Sequence, residues 1–302
     1  AADPAFADDL AGNNGAANRL YQIDKILGLQ PAEPGGRLTL TSGSPVSGDV
    51  AATSNVYYCP YKHNRITLWD GTRWVALSFS EVTMTLSGMT ANRPYDVFAY
   101  ISAGALAIER LVWTSDSARA TGISLQDGRY CKTGDKTRLY LGTFYASSTT
   151  ETQDTVPSRF VWNMYHRVER NLSVVEGTNS WTYTTATWRS ANSSTANRVQ
   201  MVRGLDEDAV RAHVWATASG TATAALAVGV GLDSTSANSA QTFGAVTQTN
   251  YVTPHAIYCG RPGIGLHYLQ WLEISEANGT VTWYGDAGVT MLQSGLVAGG
   301  LF

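Results

Sequence analysis

From Arg37 to the C-terminus the hydrophobic residues keep returning at every second position, a spacing that lines one face of a strand and that a helix cannot gather on one side. The runs "RLTLT", "NRITLW", "RWVALSF", "EVTMTL", "YDVFAYI", "ALAIERLVW" and "TRLYLGTF" all carry it, with clusters of Gly, Pro, Asn, Asp and Ser between them. Asp70-Gly71 and Asp127-Gly128 are the dipeptide favoured by two-residue type I′ hairpin turns, and Gly134-Asp135 reads as another tight turn. The stretch "ITLWDGTRWVAL" is therefore predicted to be a hairpin with cross-strand aromatics, a piece of scaffold.

The same grammar continues through "NSWTYTTATWRSAN", "VQMVRG", "VRAHVWATA", "TATAALAVGVGL", "GAVTQT", "HAIYCG", "GLHYLQWLEIS" and "GTVTWYGD". That is about the strand complement of a jelly-roll sandwich. In "ALAVGVGL" one face carries Leu226, Val228, Val230 and Leu232, while Ala225, Ala227, Gly229 and Gly231 leave the other open to another sheet, a ring or a sister subunit. "GLHYLQWLEIS" is apolar on both faces, which suits a central strand or a subunit interface. The apolar, glycine-rich C-terminus "MLQSGLVAGGLF" is expected to be buried against a neighbour.

The expected fold class is all-β, with two β domains preceded by a short helix. Residues 1–36 form an anchoring helix and linker, because Leu20, Ile23, Ile26 and Leu27 have helical spacing before a Pro/Gly-rich stretch. Residues 37–170 form a hairpin-rich module and residues 171–302 a jelly-roll-like β-sandwich.

Charged residues make up only 15% of the chain where about 25% is usual, and the formal net charge of −3 offers no basic field for a phosphate backbone. Nucleic acid is thus not an expected partner. No apolar run reaches the roughly 18 residues of a membrane span, and the N-terminus lacks the regions of a signal peptide, so neither membrane insertion nor secretion is expected. Cys59, Cys131 and Cys259 form no CxxC pair and read as reduced thiols.

Few motifs carry chemistry. Cys59 and His63 lack the second pair that structural zinc needs, and no metal or cofactor is expected. Asp206, Glu207 and Asp208 could hold calcium, although a solvated turn is the plainer reading. Asp206 with Glu273 could serve a glycosidase if the carboxyls stood about 5 to 10 Å apart. The aromatic supply, nine Trp and fifteen Tyr, is the stronger asset, because flat rings beside polar groups hold sugars. Trp181, Tyr183, Trp283 and Tyr284 are the candidate stacking platforms, and Asp286 the candidate hydroxyl acceptor.

Over residues 36 to about 168, "GRLTLTSGSPVSGDVAATSNVYYCPYKHNRITLWDGTRWVAL", "LSGMTANRPYDVFAY" and "LVWTSDSARATGISLQDGRYCKTGDKTRLYLGTF" resemble a module recurring in tailed-phage virion proteins. These are tail fibres, head fibres or spikes, and related proteins of gene transfer agents. The remainder is similar to the jelly-roll-like end of some of the same proteins. The resemblance implies a structural, host-contacting role at the surface of a virion or gene-transfer-agent particle made in the bacterial cytoplasm. It also implies a homotrimer, attached to capsid or tail proteins through the N-terminal segment. No catalytic residue comes with it. The expected function is attachment to a host cell-surface polysaccharide; the alternatives are a capsular polysaccharide depolymerase and a purely architectural capsid or tail component.

Overall fold

The computed structural model describes residues 33–289 and 291–302. The expected helix at 16–27 lies outside the described residues, as does the anchoring segment up to residue 32. What is described is all-β, as the alternation requires, and no helix in it is long and apolar enough to cross a membrane.

The first half is organised by one long strand, Asp135–Ala146, which pairs along its length with Arg93–Ser102. The hairpin partner Ala105–Val112 extends the sheet, and Arg129–Lys132, Ile123–Gln126, Thr152–Asp154, Val50–Thr53 and Val161–Asn163 complete it. A three-stranded sheet of Gly36–Thr39, Asn55–Pro60 and Val82–Thr85, with the hairpin Arg65–Trp69 and Trp74–Ser78, closes over one face. Leu38, Tyr58, Ile66, Leu68, Val97, Leu139 and Phe144 meet in the core between them.

The turns sort by chemistry. Asp127 and Gly128 both take positive φ between paired Gln126 and Arg129, as a type I′ turn demands. Asp70-Gly71 does not: Trp69 pairs with Trp74, so four residues form the loop. Asp70 Oδ1 accepts the backbone N–H of Thr72 at 2.8 Å and of Arg73 at 2.9 Å, and this side-chain turn displaces the expected two-residue one. The third turn is centred on Thr133-Gly134, because Lys132 pairs with Asp135 and only Gly134 has positive φ there. The aromatic hairpin is scaffold: Trp69 and Trp74 meet edge-on at 5.8 Å, Lys136 lies 3.6 Å over Trp69, and Trp74 Nε1 donates to Asp127.

Counting a strand that bends across a short break as one, eight strands follow. They are Glu169–Val175 with Ser180–Thr182, Arg189–Ser190 with Arg198–Arg203, Val210–Trp215 with Thr217–Gly220, and Ala224–Leu232. Then come Gln241–Phe243 with Ala245–Thr247, His255–Gly260, Gly265–Ser275, and Val281–Tyr284 with Gly295–Leu301. The first pairs with the eighth, the second with the seventh, the third with the sixth and the fourth with the fifth. Nested antiparallel pairing of this kind is a long hairpin rolled into two sheets, a jelly roll. The sheet orders are 1-8-3-6, with Gln241–Phe243 of the fifth strand added beyond the sixth, and 2-7-4-5, while Ser180–Thr182, Val281–Tyr284 and Thr217–Gly220 continue strands 1, 8 and 3 as a separate short sheet. Leu226, Val228, Val230, Leu269 and Trp271 of the 2-7-4-5 sheet interleave with Leu172, Ala212, Val214, Tyr258 and Leu296 of the other.

One expectation finds its reason here: Gly265–Ser275 is apolar on both sides because it is central, between Arg198–Arg203 and Ala224–Leu232. The C-terminal run is buried only in part: Gly295–Leu301 lies between the first and third strands with Leu296 and Phe302 inside, while Met291, Leu292, Val297 and Leu301 are exposed. On the small-residue face, Gly229 and Gly231 are covered by the chain itself, since a Cβ there would strike Asn238 and Trp188, or Ser234 and Ala237.

Packing does not break near Arg170. A register shift at Gly142 turns the long strand, so that Leu139, Leu141 and Phe144 face the first core while Tyr140 and Tyr145 join Phe98, Phe160 and Trp162 in the jelly-roll core. Ser158–Arg159 even adds a parallel strand to the second sheet. Buried Arg119 fastens the junction, bonding Asp96 at 2.6 Å and the carbonyl of Gly204 at 2.7 Å while lying 4.4 Å over Trp113.

Candidate functional site

In the third strand of the jelly roll Val210, Ala212 and Val214 are buried, so Arg211, His213 and Trp215 point outward from the 1-8-3-6 sheet. Register brings other rings alongside. Phe243 pairs with His255 and stacks on it at 4.7 Å and 15°; His255 stands edge-on to His213 at 5.7 Å, and His213 lies 5.7 Å from Trp215. Further along, Tyr284 pairs with Thr217, packs at 5.3 Å against Tyr251, and shares a hydrogen bond with Ser219 at 3.1 Å.

The result is two groups of rings, a row of four (Phe243, His255, His213 and Trp215) on one sheet and the pair Tyr284 and Tyr251 on the short sheet that continues its strands, with Phe243 39% and Tyr251 63% exposed. From Arg211 to Thr217, beside Tyr284, is six residues of strand, about 20 Å. Partial burial, then the neighbouring His255, hold His213 below the usual histidine range, which favours its uncharged ring at neutral pH. Trp215 Nε1 donates to the Gln293 carbonyl at 2.6 Å, which fixes the indole.

The residues singled out from sequence divide. Tyr284 belongs to the pair beyond the row, packed on Tyr251. Trp283, the next residue, faces inward at 0% exposure with Nε1 donating to the Tyr183 carbonyl at 3.2 Å; it is a core residue, which corrects the expectation of a stacking platform. Trp181 pairs with Trp283 and shares its inward side, edge-on to Trp271 at 6.2 Å, and its Nε1 donates to Glu273 Oε2 at 2.8 Å. Tyr183 has one ring face taken by the Arg189 guanidinium at 3.6 Å. Asp286 Oδ1 accepts the Gly288 N–H at 2.8 Å and serves a turn.

The carboxylates do not assemble a catalytic pair from the residues considered. Glu273 is buried, and burial raises its pKa against hydrogen bonds from Trp181, Arg189 and the Asn192 N–H. Asp206 follows Arg203, which pairs with Gly265, and eight residues of strand, about 26 Å, separate Gly265 from Glu273. That span is far beyond either glycosidase geometry. Nor do the three consecutive acids converge on a cation: Asp206 faces Arg261, Glu207 faces Arg167, and Asp208 faces Arg167 and Arg203.

Of the row, His213 and Trp215 had a local signal, because "VRAHVWATA" alternates small buried residues with large polar or aromatic ones. Phe243 and His255 had none, since they reach the row only through the folding of the fifth and sixth strands onto the third, and Tyr251 had none because the chain between those strands carries it to Tyr284.

No family model matches the chain, and no curated protein matches it significantly in sequence. Among solved structures it is similar to BuGH86wt in complex with neoagarooctaose, at TM-score 0.25 and 8% identity over 82% of this chain and 32% of that one. It is similar also to the insecticidal delta-endotoxin Cry8Ea1 from Bacillus thuringiensis, at TM-score 0.24 and 6% identity over 87% and 51%. A third is infectious bursal disease virus, Gx strain, at TM-score 0.19 and 9% identity over 90% and 77%. The chain spans about a third to half of the length of the first of these structures. TM-scores this low establish neither a shared fold nor a shared activity.

Proposed function

We propose that the protein is a fibre or spike subunit of a tailed phage or gene transfer agent, holding a host cell-surface polysaccharide non-covalently on the 1-8-3-6 face of its jelly roll. The observation that carries the reading is the row of Phe243, His255, His213 and Trp215 on that open face, with the pair Tyr284 and Tyr251 beyond it. Aromatic faces cover the apolar C–H side of sugar rings, and Ser219 and Asn171 stand on the same face for hydroxyls. The resemblance of residues 36–168 to virion modules supports placement on a particle, with the N-terminal segment toward capsid or tail proteins. A homotrimer would present three such faces, and several weak sites acting together give firm attachment.

The test is incubation of the purified protein with bacterial capsular polysaccharides, scoring retention and release of reducing ends. Retention without release, weakened by Trp215→Ala and Tyr284→Ala together, is the expected result. Release of reducing ends would make the protein a depolymerase, and failure of every glycan together with particle assembly would make it an architectural component.

A further inference from the structure

We infer that the groove at the Arg211 end of this face takes a carboxylate-bearing sugar, so that the polysaccharide is acidic. The inference rests on the sugar-binding reading above and names the class of sugar. The groove has a volume of about 1000 Å³, its floor is the backbone of Gly299 and Gly300, and Ile257, Val297 and Leu301 form its apolar walls. Gly299 creates the gap: a Cβ there would meet nothing closer than Arg170 O and Glu169 Oε1 at 3.8 Å. In register, Asn171 and Arg211 flank it on the neighbouring strands.

Arg211 is distinguished from the arginines around it by charge. Arg167, Arg170, Arg203 and Arg261 each have a carboxylate partner, drawn from Asp154, Asp206, Glu207 and Asp208. Arg211 is exposed and has no carboxylate within 4.0 Å among the described residues. A planar guanidinium at the wall of an apolar-sided groove matches a planar carboxylate through two parallel N–H bonds, which a hydroxyl cannot reproduce. Of the two carboxylates that line the groove, Asp208 is held by Arg167 and Arg203, and Glu169 brings Oε1 over the floor, 3.8 Å from where a Gly299 Cβ would stand. Glu169 would accept hydroxyls of the same sugar and turn its carboxylate toward Arg211. A chain anchored there and laid along the third strand passes next over His213 and Trp215 and then reaches Tyr284.

The experiment uses the whole chain with polygalacturonate and alginate, their carboxyl-reduced forms, dextran and dextran sulfate, alongside the capsular polysaccharides. The expected result is retention of carboxylate polymers, loss of retention on carboxyl reduction, and at least a tenfold loss of affinity in Arg211→Ala at unchanged thermal midpoint. Arg211→Lys should recover part of it, and added salt should weaken binding of the wild type. Equal retention of native and carboxyl-reduced polymers, an unaffected Arg211→Ala, or preference for dextran sulfate would overturn the carboxylate subsite while leaving sugar binding in place. Retention of neutral glycans alone would do the same, and retention of no glycan would overturn both.

Discussion

Replacing Arg119 by alanine should destabilise the protein by an amount that grows with pH. The guanidinium bonds Asp96 through both carboxylate oxygens, at 2.6 and 3.3 Å, and also reaches Tyr140 Oη at 3.3 Å and the Gly204 carbonyl at 2.7 Å. Asp96 is 1% exposed, and without Arg119 the partners left to its carboxylate are neutral, Thr143 Oγ1 at 2.7 Å and the Trp113 indole. Leaving one member of a buried ion pair uncompensated costs about 3–5 kcal/mol. For a unit of this size each kcal/mol lowers the midpoint by about 2–4 °C, so the variant should melt roughly 6–20 °C below wild type at neutral pH. Burial already raises the Asp96 pKa against the pull of Arg119, and removing Arg119 raises it further. The folded variant then binds a proton at pH values where the unfolded chain, with its aspartates near about 3.9, has lost it. Stability is therefore retained at acid pH and lost as pH rises toward the folded value. Calorimetry from pH 4.5 to 8 measures this, and Asp96→Asn in the Arg119→Ala background should flatten the profile. A deficit below about 1 kcal/mol, or one independent of pH, would refute the uncompensated-charge argument.

Gly204→Ala should destabilise the junction by about 1–3 kcal/mol, because the new methyl strikes Tyr140 Oη and the Trp162 ring; an unchanged midpoint would mean that the junction gives way freely. Trp283→Ala should cost about 3–5 kcal/mol as a core truncation. Tyr284→Ala, on the opposite face of the same strand, should cost about 1 kcal/mol or less and instead lower glycan retention. Paired melting curves and retention assays on these two variants check which residue belongs to the core. In native protein, a thiol reagent should modify exposed Cys259 quickly and the buried pair Cys59 and Cys131 slowly, the latter with its pKa pushed up by burial to about 11; all three should react together only in denaturant.

By itself the sequence determined the class, most of the strands and the places of the turns, with the type of one of them. A period of two admits no other regular structure, and Asp127-Gly128 encodes its turn in its own backbone preferences. The count and spacing of strands after Arg170 were enough to suggest a jelly roll, and two apolar faces were enough to mark Gly265–Ser275 as central. Even so, Asp70-Gly71 carries the same dipeptide as Asp127-Gly128 and forms a different loop, because its carboxylate found two backbone N–H groups to accept. Only the tertiary structure decided which face of each strand meets water. Alternation distinguishes Trp283 from Tyr284 without saying which is inside; that is set by layers and registers made with residues far away in the chain. The same non-local pairing drew Phe243, His255, His213 and Trp215 into one row and set Tyr284 against Tyr251. It also set Asp206 and Glu273 a strand's length apart and put Tyr140 of the first module into the core of the second.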